Sequence, residues 1–212
     1  MKFSRVQLFL TAVWIGFVVY AFGFAPPEGA DTFKLIESLI RLEGNPALVA
    51  VFNLMGLVPL LYWFLLIPDS HGQKLPAWPF GLGMLAVGAF ALLPYLILRR
   101  PHDDWPHRKA GWAVRVFDSR WLALPVVLGI LGLIVWGIGA GDWDAYWEQW
   151  RTVRFVHVMT LDFVLLSLLF PFLLADDMRR RGLSGMQPFW VASLLPLLGT
   201  MAYVLARPSL RH

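Results

Sequence analysis

Six apolar stretches of bilayer length leave this chain few ways to fold. They run over residues 6–24, 46–67, 78–98, 121–140, 154–175 and 188–206, about 19–22 residues each. At 1.5 Å per residue a helix of that length crosses about 30 Å of hydrocarbon. Only 15% of the 212 residues are charged and mean hydropathy is +0.62, where a soluble domain carries about 25% charge. The expected fold class is therefore an all-α integral membrane protein of six transmembrane helices, one bundle over 1–212. The apolar run after Lys2 and Arg5 exceeds a signal-peptide core and is read as a retained first span.

Two further segments look amphipathic. DTFKLIESLIRLE, after the first span, places Phe33, Ile36, Leu39 and Ile40 on one face, and Gly44-Asn45-Pro46 ends it. GDWDAYWEQWRTVR, after the fourth, places Trp143, Tyr146, Trp147 and Trp150 at i, i+3, i+4 and i+7. Both read as helices lying in the membrane interface. Each half thus has a span, an interfacial helix and two more spans. Landmarks also repeat: Pro-Phe, Leu-Leu-Pro and an arginine-proline close occur in both the third and the sixth stretch. A duplication with halves of about 1–100 and 119–212 is expected, and three spans per half make it a 3+3 inverted repeat. Six crossings leave seven Lys and Arg on the N-terminal face and eleven on the other. That weakly favours an outside N-terminus.

Composition excludes much chemistry. There is no cysteine, hence no disulfide, thiolate metal site or cysteine nucleophile. Walker, Rossmann, HExxH and GxSxG patterns are absent, as are the histidine boxes of di-iron enzymes. The pI near 9.7 comes from basic residues beside spans and does not point to nucleic acid. His102, Asp103, Asp104 and His107 lie in a proline-broken, basic loop, read as interfacial charge and not as a metal site.

What remains is a short set of polar residues within apolar sequence. Asp162 and His157, in RFVHVMTLDFVLLSLLFPFLLADD, are the candidate acid/base groups, because an ionisable side chain in hydrocarbon is costly and marks function. Five positions apart, they stand about 140° from each other around a helix and form no dyad. Asn53, Thr160, Trp63 and Tyr62 are the candidate substrate-binding residues, with Asn53 the counterpart expected to meet the Asp162 helix. Asp69, Asp176 and Asp177 are read as solvated loop charges. The motifs name no cofactor.

His157-x4-Asp162-Phe163, the acidic turn that follows, and Ile67-Pro68-Asp69 closing the second span resemble the plant and cyanobacterial membrane-protein family required for neoxanthin synthesis. The resemblance covers the second, third, fifth and sixth stretches. It implies a thylakoid or cyanobacterial-type membrane and a carotenoid or other long isoprenoid as substrate or partner. Two other functions fit the same residues: a non-catalytic assembly factor or subunit of a photosynthetic or respiratory membrane complex, and a small inverted-repeat transporter.

Overall fold

The computed structural model describes residues 4–29, 31–71, 73–100, 111–183 and 186–210. The loop cluster of His102, Asp103, Asp104 and His107 lies outside them. The described residues form twelve helices and no strand. Four helices are long and apolar enough to cross a membrane: α1 (Arg5–Gly23), α3 (Pro46–Ser70), α7 (Arg120–Ala140), and α9 (Arg154–Leu169) continued by α10 (Pro171–Arg180). Pro171 opens α10 at its first turn, where the helical hydrogen-bond ladder is interrupted because proline has no backbone N–H to donate. The amphipathic segments are helical as expected: α2 (Thr32–Ile40) and α8 (Trp143–Thr152).

The third and sixth stretches differ from expectation. The third is two helices, α4 (Trp78–Val87) and α5 (Ala89–Leu98), broken at Gly88. They double back on each other: Phe80 lies against Tyr95 with ring centroids 5.5 Å apart, and Gly83 faces Ala91. The base of α5 returns to where α4 began, since Gln73 in the entering loop donates to the carbonyl of Arg100 at 2.5 Å. The sixth stretch repeats this with α11 (Met186–Leu194) and α12 (Leu198–Ala206). Its tip is a γ-turn in which Leu198 N–H donates to Pro196 O at 2.8 Å around Leu197 at φ 66°. Gly199 lies directly on the Ala192 backbone. Ten residues of α4 rise about 15 Å, half of the hydrocarbon thickness. Each hairpin therefore reaches only about half the length of a span, and among the described residues four of the six expected stretches are helices long and apolar enough to cross a membrane.

The same contacts correct the inverted repeat. Going up α3, Phe52 meets Phe155, Tyr62 stacks on Phe170 at 3.9 Å, and Asp69 pairs with Arg180 at 3.0 Å. α3 and α9–α10 run in the same direction. α7 runs against α3, with Gly137 on Ala50 and Gly129 on Leu57. α3 is the centre of the bundle, buried along most of its length. Leu8, Phe9 and Val19 of α1 and Leu128, Val135 and Ile138 of α7 point outward, as lipid-facing side chains do.

One face of the bundle carries α2 and α8 and is called here the tryptophan face. The other carries the hairpin bases, α6 (Trp112–Phe117) and the ends of α3 and α10. It is called the arginine face.

Candidate functional site

The site is built around Gly88. Its φ of 51° and ψ of −126° suit glycine at a tight reversal and little else. A side chain there would overlap the Asp162 carboxyl group. Asp162 projects from α9 against this tip, and its Oδ1 accepts the Ala89 N–H at 2.7 Å. It thus caps a helix start from a distant part of the chain, where the helix dipole favours negative charge. Asp162 is buried and stands eight residues past Arg154, about 12 Å deeper along the helix. Among the described residues no protein donor reaches Oδ2.

Asp162 and Gly88 close the inner end of a cavity of about 750 Å3, within the range of small-molecule sites. Phe52, Met55, Phe90, Phe155, Val158 and Met159 make its apolar wall, and Glu28, Thr32 and Arg154 stand at its outer end on the tryptophan face. Arg154 fastens the segment between α1 and α2 over that end: its N–H and Nε donate to Pro27 O and Pro26 O at 3.1 and 2.9 Å, and Nη1 lies 3.9 Å from Glu28.

Of the expected site residues, Asp162 and Asn53 line this cavity. They share no hydrogen bond, because Asn53 Nδ2 donates to Val49 O at 2.9 Å and Leu39 O at 3.4 Å. His157, Thr160, Trp63 and Tyr62 are not among its lining residues. His157 is held between Tyr20 Oη and Trp150 O, each at 2.8 Å, with the Trp150 ring stacked on it at 4.3 Å. It joins the end of α1 to α8. Thr160 donates to Val156 O at 2.6 Å and meets Tyr146 Oη at 2.7 Å; burial of Tyr146 raises its hydroxyl above the ordinary value, partly opposed by that bond. Trp63 Nε1 donates to Gly81 O at 3.3 Å and Tyr62 Oη to Leu166 O at 2.5 Å. These four tie helices together. No group of three or more potential metal ligands exists among the described residues.

Asp69, Asp176 and Asp177 are not solvated. All three are buried, and so are Arg99, Arg180 and Arg207. Arg99 gives Nε to Asp69 Oδ2 at 2.9 Å and Nη2 to both Asp69 Oδ1 at 2.6 Å and Asp176. Tyr95 donates to Asp69 at 2.6 Å. In the second half Tyr203 donates to Asp177 at 2.7 Å, and Arg207 and Arg181 pair with it at 3.1 and 2.8 Å. The correspondence is positional. Aspartate and tyrosine are 26 apart in both halves, aspartate and arginine 30. The arginines also cross over, Arg99 to Phe172 O and Arg207 to Phe64 O, each at 3.0 Å. The same shift along the chain relates Tyr62 to Phe170, which stack at the centre. Sequence reasoning passed over this cluster, although the repeated Asp–Tyr–Arg spacing was there to find.

Comparison with protein-family models, curated proteins and solved structures returned no match.

Proposed function

We propose that this membrane protein binds and acts on a lipid-soluble isoprenoid of carotenoid type, held in the cavity with its polar end at Asp162. The observation that carries the reading is a half-membrane cavity with apolar walls and, at its inner end, one carboxylate oxygen that no donor among the described residues reaches. A buried carboxylate without a counter-charge needs a partner, and a donor on the occupant would supply it. Two re-entrant hairpins around a mid-membrane carboxylate support a second reading, a small transporter, because irregular backbone at that depth is kept where it lines a cavity.

The test is to purify the chain from a carotenoid-producing host and extract its lipids. Enrichment of an isoprenoid over bulk membrane is expected, lost in Asp162→Asn and kept in the peripheral Asp142→Asn. No enrichment with the intact chain, together with co-purification of a large complex, would replace this reading with an assembly role.

The reading includes a parallel duplication, two copies of span, interfacial helix, span and hairpin about an axis normal to the membrane. The active copy is the one with Gly88 at its tip; Leu54 and Pro196 stand where an Asp162 and Gly88 of the second copy would be, by the shift that relates the Asp69–Tyr95–Arg99 clamp to the Asp177–Tyr203–Arg207 clamp. It also includes an orientation. Among the described residues Arg5, Lys74, Arg99, Arg100, Arg115, Arg120, Arg179, Arg180, Arg181 and Arg207 lie on the arginine face, against Lys34, Arg41, Arg151 and Arg154 on the other. The positive-inside rule then puts the arginine face in the cytoplasm. With no native cysteine, Lys34→Cys should react with an impermeant maleimide on intact cells, and Lys74→Cys only after permeabilisation. The reverse pattern overturns the orientation.

A further inference from the structure

The cavity has two borders of opposite character. At its polar border Arg154 holds down the segment between α1 and α2, which carries Glu28, and Gly29 packs on Val153 beneath it. Its apolar border is open. Phe22 and Phe33 line the cavity and are 74% and 90% exposed. So do Leu85 and Val87 of α4, at 45% and 51%. Phe33 is at interface depth and Val87 is beside the hairpin tip at mid-membrane. The opening is therefore a slot that runs down the side of the bundle, from interface to midplane, edged by apolar side chains. An aqueous mouth would be edged by groups that hold water.

Resting on the site reading above, we infer that the occupant enters sideways from the hydrocarbon of the leaflet on the tryptophan face, through the gap between the end of α1, α2 and the α4 side of the hairpin. A slot of this kind fits an elongated apolar molecule already dissolved in the membrane. It slides in polar end foremost or settles so that this end meets Asp162, and its length stays in contact with lipid at the open side. The hairpin has a role here that a crossing helix could not fill: it stops at mid-membrane, and its tip forms the inner end of the slot.

The experiment needs no identified ligand. A nitroxide on Val158→Cys, in the cavity wall, is placed in lipid nanodiscs, and its collision rates with oxygen and with a neutral nickel chelate are compared. Oxygen partitions into hydrocarbon and the chelate into water. Labels on Val135→Cys and Lys34→Cys give the lipid and water limits. The label at 158 should resemble the one at 135, and Val87→Trp, or Leu85→Trp if the first fails to fold, should cut its oxygen collisions severalfold. A nickel-dominated label at 158 overturns the inference in favour of aqueous entry, and a label reached by neither overturns it in favour of a sealed cavity. Failure of isoprenoid enrichment would leave this collision pattern unchanged, so the two readings fail separately.

Discussion

Alanine at Gly88 is expected to unseat the α4–α5 hairpin and take the cavity with it. The backbone there sits at φ 51°, where a side chain costs about 1–3 kcal/mol of strain. Its β-carbon would also fall within the Asp162 carboxyl group, and forced repacking of that kind adds about 1–3 kcal/mol. The expected loss is about 2–6 kcal/mol in detergent unfolding, seen as a lower midpoint and faster proteolysis between α4 and α5. The effect should be shared with Asp162. Trimming that side chain in Gly88→Ala/Asp162→Ala removes the overlap and leaves only the strain, so the double variant should be more stable than the sum of the singles. Simple additivity would show that the two residues do not meet. Gly16→Ala is the control. Nothing lies within 4 Å of a β-carbon at Gly16, and a glycine removed from a helix interior should leave stability equal or slightly higher.

The hairpin was hidden in the sequence for a physical reason. Residues 78–98 form an apolar run of spanning length, and a glycine in such a run is common in membrane helices. Length and hydropathy cannot tell a crossing from a helix that turns back halfway, because both bury the same kind of surface. What tells them apart is contact between distant residues: Phe80 with Tyr95, and the ends of the hairpin with each other. The starts of two of the four candidate spans and of one amphipathic helix were legible, since Ser4 with Gln7 opens α1, Asn45 with Pro46 opens α3, and Asp142 caps α8. The amphipathic helices were legible for the same reason. Asp162 was legible as an anomaly in hydrocarbon. Its partner was not, because the group that answers it is a backbone N–H, present at every residue and marked only by the glycine before it. Matching landmarks suggested a duplication, and the sense of any such duplication turns on whether each half crosses three times or twice, and so on Gly88.

Removing one carboxylate from the clamps should cost more than any substitution of an outward-facing charge. Asp177 is the strongest case. It is fully buried and meets Arg181, Arg207 and Tyr203. Asp177→Asn keeps the shape and leaves the buried Arg207 with only the more distant Asp118 carboxylate, at 3.9 Å. Breaking a buried pair from one side costs about 3–5 kcal/mol. The counterpart Asp69→Asn should cost a similar amount, since Arg99, Arg180 and Tyr95 lose the same kind of partner. By contrast Glu37→Gln, whose pair with Arg41 is exposed on α2, should cost about 0–1 kcal/mol. Arginine is required as a fork here and not only as a charge. Arg99 reaches Asp69 twice, Asp176 and the carbonyl of Phe172, and a lysine cannot span those directions. Arg99→Lys should therefore behave like a loss and not like a conservative change. Because Arg99 belongs to the hairpin of one half and Phe172 to the span of the other, the loss should also loosen the hairpin against α9. A nitroxide on the hairpin at Val87→Cys would report it as greater mobility in Arg99→Lys. Unchanged mobility beside a large loss of stability would mean that the clamp holds the arginine face together without setting the position of the tip.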